Sequence, residues 1–247
     1  MNIMVTNDDG ITAPGIIALT AALRSLGRVA VVAPDREQSA VSHAITLHHP
    51  LRAEQIGEDT FAVSGTPTDC VNLGIHNLLD FRPDLVVSGI NRGGNMGDDV
   101  TYSGTVSAAM EATLMGIPAV AVSLAASGEG KHYDAAAFFI RRLAQLVGER
   151  GLPPDTFLNV NVPDLPRERL KQPVITKQGK KRYEGAIVDK IDPRGRLYYW
   201  IGSIEPTYED LEGTDYAAVI RGHISITPLH LDLTNYASLD LLRGWNL

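Results

Sequence analysis

Two adjacent aspartates, Asp8 and Asp9, stand between a short apolar run and Gly10 near the start of the sequence. Carboxylate oxygens are hard ligands, and two of them side by side suit Mg²⁺ or Mn²⁺ better than the softer metals that prefer His and Cys. The same pair is also typical of a helix cap or of an Asp-Gly turn. The local sequence leaves these three interpretations open.

Three later segments carry further polar groups just after an apolar run or at the start of a helical pattern. Their candidate residues are Ser39 after "RVAVVAP", Asn91 and Asn95 in "GINRGGNMGDD", and Ser103, Gly104 and Thr105 in "TYSGTVSAA". A serine hydroxyl and an asparagine carbonyl would complete an all-oxygen metal site with the two aspartates. Free backbone amides at a helix start favour anions, so "SGT" is suited to hold a phosphate group. Taken singly, each segment is also typical of a flexible loop or a plain helix cap.

The surrounding pattern predicts the elements that would bring these segments together. A strand over residues 2–6 and a helix over residues 14–26 lead into the strand "RVAVVAP". The order continues through "CVNLGIHNLL", "PDLVVSGIN", "SGTVSAAMEATLMG", "PAVAVSL", a helix over Tyr133–Arg150 and "FLNVNVP". This alternation predicts an α/β fold with a Rossmann-like, mostly parallel sheet flanked by helices. Ligands bind beyond the carboxyl ends of such strands, where all the candidate segments fall.

Two regions depart from this alternation. "LRAEQIGEDTFAVSG" predicts an inserted β-hairpin. From residue 173 the pattern changes to strands in "PVITKQG", in "EGAIVDKIDPRGRLYYWIG" with a turn at "DPRG", and in "YAAVIRGHISITPL". We predict one domain over residues 1–247, with a Rossmann-like core in 1–172 and a β-rich extension in 173–247.

Charge and composition narrow the partners. The 247 residues include 22 Lys and Arg against 29 Asp and Glu, a net charge of −7, which argues against a nucleic-acid duplex as partner but allows small phosphorylated substrates. The single cysteine, Cys70, cannot form an intrachain disulfide and favours a reducing compartment. The sequence contains neither a signal-peptide pattern nor an apolar run of membrane-spanning length. We therefore expect a cytoplasmic protein without a membrane partner.

Five ordered motifs together resemble the SurE family of survival proteins. They are "NDDGITAPGI" at residues 7–16, "APDREQS" at 33–39, "GTPTDC" at 65–70, "SGINRGGNMG" at 88–97 and "YSGTVSAAME" at 102–111. SurE proteins are metal-dependent nucleotidases that hydrolyse nucleoside monophosphates. The resemblance covers the first two thirds of the chain strongly and the remainder more loosely. It implies a 5'-nucleotidase, with 3'-nucleotidase and short-chain exopolyphosphatase activity as further candidates.

The resemblance also implies a ligand set and an assembly. One divalent metal ion per subunit, Mg²⁺ or Mn²⁺, would be held by Asp8, Asp9, Ser39 and Asn95. A protruding β-hairpin and the C-terminal segment "LHLDLTNYASLDLLRGW" would engage a partner chain in a homodimer or homotetramer. The sequence alone equally allows that last segment to close its own domain.

Two mechanisms are compatible with the motifs. In the preferred one, metal-activated water attacks phosphorus, and the catalytic residues Asp8 and Asp9 act as ligands, either of them also serving as general base. The phosphate would be oriented by Asn91, Ser103, Gly104 and Thr105. The rival is a covalent aspartyl-phosphate on Asp8, although Gly10 stands where a D-x-D phosphatase has its second aspartate. The alternative function is a non-catalytic, receiver-like module that binds a metal and a nucleotide, because receivers also place an acidic pair after their first strand.

Overall fold

The computed structural model describes residues 1–126, 128–182, 187–201 and 207–245, excluding the side chains of residues 182, 207 and 208. Its strands are β1 (Asn2–Thr6), β2 (Arg28–Pro34), β3 (Ala53–Gly57), β4 (Thr60–Val63), β5 (Leu85–Arg92), β6 (Ala119–Ala125), β7 (Thr156–Pro163), β8 (Lys171–Ile175), β9 (Lys181–Arg182), β10 (Ile187–Ile191), β11 (Leu197–Ile201), β12 (Thr207–Tyr208) and β13 (His223–His230). The α-helices are α1 (Pro14–Leu23), α2 (Pro67–Leu73), α3 (Gly104–Leu114), α4 (Tyr133–Arg150), α5 (Asp215–Ile220) and α6 (Tyr236–Arg243). Shorter 3₁₀ helices span Arg24–Leu26, Gly97–Thr101 and Arg167–Arg169, and a π-helical turn spans Gly74–Leu78.

One nine-stranded sheet forms the centre of the fold, in the order β3-β4-β2-β1-β5-β6-β7-β13-β8. The six strands from β4 to β7 in this order are mutually parallel, whereas β3 is antiparallel to β4 and β13 is antiparallel to β7. The predicted Rossmann-like fold class is therefore confirmed. The inserted hairpin, β3–β4, lies at one edge of the sheet.

Helices cover both faces of the sheet because the central strands are apolar on both sides. In β1, the side chains of Ile3 and Val5 pack in a core with α1 and α4, while Met4 packs on the other face with α2 and α3. All three are fully buried. Each such side chain stabilises the fold by roughly 1.5–3 kcal/mol through burial. This two-sided burial explains why the strands carry continuous apolar runs.

The chain reverses its direction of travel across the sheet between β1 and β5. It moves from β1 outward to β2 and β4, and then returns to β5 on the other side of β1. Loops that leave the carboxyl ends of β1 and β5 therefore diverge and leave a crevice between them. The crevice lies beside the loops that carry Asp8, Asp9 and Asn95.

The last third of the chain contributes to the same sheet and also departs from it. Strand β13 lies between β7 and β8, while β10 and β11 form a separate antiparallel hairpin at the predicted "DPRG" turn. Residues 184–186 and 202 of that predicted hairpin segment lie outside the described residues. The prediction of a strand throughout "YAAVIRGHISITPL" was wrong, because α5 precedes β13. The Thr214 hydroxyl caps α5 by accepting a hydrogen bond from the Ala217 amide over 3.3 Å.

The C-terminal helix α6 has no buried residue. The side chains of Leu233, Tyr236, Leu241 and Trp245 in and around it are each more than half exposed. Within the part of the chain that the structure describes, no helix is both long enough and apolar enough to cross a membrane.

Candidate functional site

Asp8 lies at the carboxyl end of β1, and its carboxylate contacts the N-terminus of α3. The Thr105 hydroxyl donates to Asp8 Oδ1, and the Thr105 backbone amide adds a second hydrogen bond. A Cβ atom at Gly104 would lie 2.9 Å from Asp8 Cβ and 3.1 Å from Pro67 Cγ, so glycine lets the helix approach closely. Asp8 therefore supports a distant helix, whereas α1, the next helix along the chain, begins at Pro14 and has Ala13 as an N-cap without a side-chain hydrogen bond.

Both aspartates carry their negative charge in an unfavourable environment. Burial raises the pKa of Asp8 to about 6, and the charge of Asp9 adds to the rise, against the lowering effect of the Thr105 hydroxyl. Burial also raises the pKa of Asp9, against the lowering effect of the Arg92 backbone amide. A carboxylate that loses water without gaining a full counter-charge is stabilised in its ionised form by a nearby cation. The pair is therefore suited to bind one.

Hydrogen bonds fasten the segment after β1 to the segments after β5 and β2. The backbone amide of Arg92, at the end of β5, donates to Asp9 Oδ2 over 2.8 Å. The backbone amide of Gln38 donates to the carbonyl oxygen of Asp8 over 2.7 Å, which brings Ser39 to the same edge. Three of the candidate segments thus meet at Asp8 and Asp9.

The turn at Gly10 and the position of Ser39 shape this edge further. Gly10 has a φ of +95°, and a Cβ there would lie 3.1 Å from the backbone carbon of Arg36. The Asp-Gly turn that the sequence allowed is therefore present, and it is compatible with a metal-binding role for the two carboxylates. Ser39 is exposed, and its hydroxyl donates to Glu37 Oε1 over 2.7 Å. Because the hydroxyl gives its proton to Glu37, its oxygen lone pairs stay available to a cation.

Asn95 is buried, and a network separate from the bonds of Asp8 and Asp9 holds it. Its backbone amide donates to Asn161 Oδ1 over 2.8 Å. Its backbone carbonyl accepts from Asn159 Nδ2 over 2.8 Å and from Asn161 Nδ2 over 3.0 Å. Its side-chain Nδ2 donates to Ser123 Oγ over 2.8 Å. These bonds leave Oδ1 as the atom of Asn95 that suits a ligand role.

The candidate phosphate-binding residues fall into two groups. Thr105 and Gly104 lie against Asp8 at the start of α3, as described above. Ser103 is the N-cap of α3, and its hydroxyl oxygen accepts from the Val106 amide over 3.1 Å. The Asn91 side chain folds back on its own loop and donates to the Gly93 carbonyl over 2.8 Å. In this structure the side chains of Ser103 and Asn91 therefore support local backbone.

An open cleft of about 370 Å³ lies beside Asp9. It is lined by Asp9, Ala13, Pro14, Glu37, Arg92, Glu129, Gly130 and Tyr133. The lining combines charged groups with an aromatic ring and the proline at the start of α1. Its volume lies within the range of small-molecule binding sites.

The donor chemistry at this edge is oxygen-based. Across the residues that the structure describes, no cluster of three or more His, Cys, Asp or Glu side chains could hold a metal ion. A metal here would therefore have to combine the two carboxylates with neutral oxygens such as those of Ser39 and Asn95. Hard cations with oxygen ligands, such as Mg²⁺ and Mn²⁺, accept such mixed sets.

Sequence reasoning missed several residues that shape the site. They are Glu37, Ser123, Tyr133, Asn159, Asn161 and Asp215, which line the cleft or hold the loop that carries Asn95. One signal was available for two of them. "FLNVNVP" places asparagines at every second position of a strand that is otherwise apolar, and such residues share one buried face. The others carry no comparable local pattern.

Comparison with known proteins gives a consistent result. The family model described as "Survival protein SurE" matches residues 3–185. A protein named 5'-nucleotidase SurE from Geotalea daltonii is 69% identical over 247 residues and covers the whole of both chains. A protein of the same name from Geobacter sulfurreducens is 70% identical, covering 100% of this chain and 94% of its own.

A solved structure extends the agreement to three dimensions. The crystal structure of the SurE protein from Aquifex aeolicus superposes with a TM-score of 0.87 at 45% identity, covering 98% of each chain. The match spans the core and most of the β-rich remainder, including the segment that the sequence motifs cover only loosely. The family model, the full-length relatives and this structure agree: the chain belongs to the SurE family.

Proposed function

We propose that this edge of the sheet hydrolyses nucleoside monophosphates, with a divalent cation bound by Asp8, Asp9, Ser39 and Asn95. SurE proteins are metal-dependent 5'-nucleotidases. The full-length relatives at 69% and 70% identity are both named 5'-nucleotidase SurE. The observation that carries the site assignment is the Asp8–Asp9 pair at the switch point of a parallel sheet, with Asp8 buried against α3. Ligands of open α/β sheets bind at this position.

The donor set fits one hard divalent cation, and we propose one Mg²⁺ or Mn²⁺ ion per subunit. Two carboxylates, a hydroxyl and an amide oxygen match the ligands that these metals prefer. The set lacks the nitrogen and sulfur atoms that favour zinc. The raised pKa of Asp8 supports the assignment, because a carboxylate with a pKa of about 6 has lost water and lacks a counter-charge.

We assign different roles to the two aspartates. When bound, the cation would polarise the phosphoryl group and favour ionisation of the attacking water. Asp8 is 4% exposed and held by Thr105, so it serves as a ligand and is poorly presented for direct attack on phosphorus. Asp9 also lines the open cleft, and we propose that it accepts the proton of the attacking water. As the new bond to phosphorus forms, the bond to the nucleoside oxygen breaks, and that oxygen takes up a proton from solvent.

The substrate would lie with its two ends in different parts of the site. The phosphate would rest at the first turn of α3, oriented by Ser103, Gly104 and Thr105, with Asn91 joining it once its side chain turns from its own loop. Backbone amides and the positive end of the helix dipole favour an anion there. The nucleoside would occupy the cleft beside Asp9, where the Tyr133 ring offers a surface on which a base can stack.

A substrate and metal panel tests this proposal. Protein stripped of metal with EDTA is incubated with AMP, GMP, 3'-AMP and short polyphosphate, each with Mg²⁺ or Mn²⁺, and released phosphate is measured. We expect hydrolysis of 5'-monophosphates only when metal is restored. The absence of phosphate release with both Mg²⁺ and Mn²⁺ would refute the proposed reaction, and the remaining substrates define how far the specificity extends.

Two variants and a matched control test the site assignment. Asp8→Asn and Asp9→Asn should each abolish activity and keep the melting temperature within a few degrees of the wild-type value. Removing one negative charge weakens cation binding more than it disturbs the packing of the side chain. Asp80→Asn is the matched control. Asp80 is an exposed carboxylate that precedes β5 and pairs with Arg28 at the start of β2, so it lies at the amino ends of the strands, away from Asp8 and Asp9. This variant should keep normal turnover. Normal turnover of both site variants at limiting metal would show that the ligand set is wrong.

We further propose a cytoplasmic homodimer or homotetramer. Every residue of β11 is exposed, including Trp200 at 62%, and Leu233 and Trp245 around α6 are 87% and 57% exposed. Runs of exposed large apolar side chains of this kind are typical of an interface. A reducing compartment fits the single cysteine, which is buried as a free thiol. Light scattering of the full chain and of Leu233→Lys tests the assembly: a larger particle for the first and a smaller one for the second are expected, and a monomeric full chain would contradict it.

A further inference from the structure

A row of buried polar side chains crosses the sheet among apolar residues. Ser225 on β13 is in register with Asn161 on β7, and Asn161 is in register with Ser123 on β6. All three are fully buried, as is Asn159 two positions earlier on β7. Because paired residues of neighbouring strands project to the same face, these side chains form one polar group within the core. Buried polar groups destabilise a fold unless they are hydrogen-bonded, so the partners of these side chains indicate what the row does.

The amide of Asn161 bonds both backbone groups of one residue, Asn95. Its Oδ1 accepts from the Asn95 amide over 2.8 Å, and its Nδ2 donates to the Asn95 carbonyl over 3.0 Å. Asn159 donates to the same carbonyl over 2.8 Å, and Ser123 accepts from the Asn95 side chain over 2.8 Å. The backbone amide, backbone carbonyl and side-chain nitrogen of Asn95 are thus all engaged, and Oδ1 is the remaining polar atom.

We propose that Asn161 is a positioning residue that fixes Asn95 so that its Oδ1 faces the divalent cation, with Asn159 and Ser123 in support. This inference rests on the ligand set given under the proposed function. Asn95 follows Gly93 and Gly94, which impose little conformational restriction on the chain. A ligand on such a loop is held in a productive geometry only by bonds from rigid elements, and β6 and β7 supply them.

Only an amide of this length can make both bonds. An aspartate at position 161 would accept from the Asn95 amide, but it would set a second oxygen against the Asn95 carbonyl. A leucine of similar volume would make neither bond. Because the donor and the acceptor sit on one planar group, Asn161 fixes the rotation of the Asn95 backbone as well as its position.

Direct measurement of Mn²⁺ binding tests the proposal without relying on turnover. The full-length protein is stripped of metal and titrated with Mn²⁺, and free Mn²⁺ is followed by electron paramagnetic resonance for wild type, Asn95→Ala, Asn161→Ala and Asn159→Ala. We expect Asn161→Ala to weaken Mn²⁺ binding by about 10- to 100-fold, as substitutions behind a metal ligand typically do. Asn159→Ala removes one of two donors to the same carbonyl and should have a smaller effect.

Thr227→Val is the matched control. Thr227 is buried on β13, in register with Asn159, and its hydroxyl lies 2.7 Å from that of Thr176. The substitution removes a buried hydrogen bond in the same layer without touching Asn95. It should lower the melting temperature and leave Mn²⁺ affinity unchanged.

The outcomes separate this inference from the proposed function. Wild-type Mn²⁺ affinity in Asn95→Ala would remove Asn95 from the proposed ligand set and overturn this inference, whereas the proposed hydrolysis is tested separately by the substrate and metal panel. Weak binding by Asn95→Ala with wild-type binding by Asn161→Ala would overturn the positioning role alone. Equal weakening by Thr227→Val would reduce the effect to general loss of stability and also overturn it. If Asn161→Ala does not fold, Asn159→Ala decides: weakened binding supports the proposal, and wild-type binding overturns it.

Discussion

Substituting Gly104 with alanine should separate activity from stability in this protein. Gly104 is the first residue of α3 and lies directly over the Asp8 carboxylate. An added Cβ would lie 2.9 Å from Asp8 Cβ, 3.1 Å from Asp8 Oδ2 and 3.1 Å from Pro67 Cγ. The first of these distances is shorter than carbon atoms tolerate, and none of the three contacts is the free end of a flexible chain. The start of α3 must therefore move away from Asp8 by several tenths of an ångström.

The expected cost in stability is small. Overpacking of a buried position costs about 1–3 kcal/mol. Alanine is favoured over glycine within a helix by about 1 kcal/mol, which offsets part of that cost. The net destabilisation of roughly 0–2 kcal/mol corresponds to a melting temperature lower by at most about 8 °C in a chain of this size.

The expected cost in activity is larger. Movement of α3 lengthens the hydrogen bond from Thr105 to Asp8 and displaces the backbone amides that would face the phosphate. Catalytic groups must be held within about 0.5 Å of their productive geometry. A misplacement of about 1 Å costs on the order of 100-fold in rate, so the smaller shift here should lower kcat/KM by about 10- to 100-fold.

The assay is steady-state phosphate release from AMP, combined with a thermal melt of the same sample. Gly148→Ala in α4 is the control, because a Cβ there meets chiefly the Met1 Sδ atom at 2.7 Å, near the end of a flexible side chain. The control should melt at or slightly above the wild-type temperature and keep full activity. Wild-type activity and stability in Gly104→Ala would show that α3 does not fix Asp8. Equal losses of activity in both variants would also refute the reasoning.

Three further predictions concern residues around the site. Asp215→Asn should lower the free energy of unfolding by about 1–3 kcal/mol in a denaturant melt. The carboxylate accepts hydrogen bonds from backbone amides such as that of Gly97, over 2.8 Å, and an asparagine would leave one of these amides without its acceptor. An unchanged denaturation midpoint would contradict this. The hydrogen bond from His43 lowers the pKa of Glu111 below its ordinary value of 4.5. The ionised Glu111 carboxylate therefore stabilises the folded state fully above pH 4.5, and this stabilisation is lost as the pH falls through the lower pKa of the folded state. Melting temperatures of wild type and Glu111→Gln should accordingly differ at pH 7 and converge below pH 4.5, and a constant difference would refute it. Tyr133→Ala should raise KM for AMP about tenfold through lost stacking, with Tyr133→Phe unaffected, and an equal rise in both would argue against stacking.

Much of the fold could be predicted because its signals are local. Continuous apolar strands alternating with helices predict a two-sided parallel sheet, and the predicted helix over Tyr133–Arg150 has those bounds in the structure. The position of the aspartates also followed from local sequence, because the carboxyl ends of parallel strands share one edge. Helix α5 was missed because the Thr214 cap precedes a run of β-branched and small residues that also suits a strand.

The contacts that hold the site could not be predicted, because they join segments far apart in the chain. The Thr105 hydrogen bond to Asp8 depends on how α3 docks, and the bonds from Asn161 to Asn95 depend on the register between β6 and β7. The alternating asparagines of "FLNVNVP" indicated a buried polar face, but not what that face would bind. Local sequence thus identified candidate ligands, whereas the groups that orient them required the three-dimensional structure.

We expect that residues 1–172 can neither fold nor form the metal site without residues 173–247. Strand β13 pairs with β7 from Ser225 to His230, so removing it would expose the backbone of a buried strand. Asp215 accepts from the Gly97 amide over 2.8 Å, two residues after Asn95, and would be lost as well. A chain ending at residue 172 should therefore aggregate, or melt without a cooperative transition, and bind no Mn²⁺. A soluble fragment with a sharp melt and wild-type Mn²⁺ affinity would instead show that the first 172 residues fold and form the site independently.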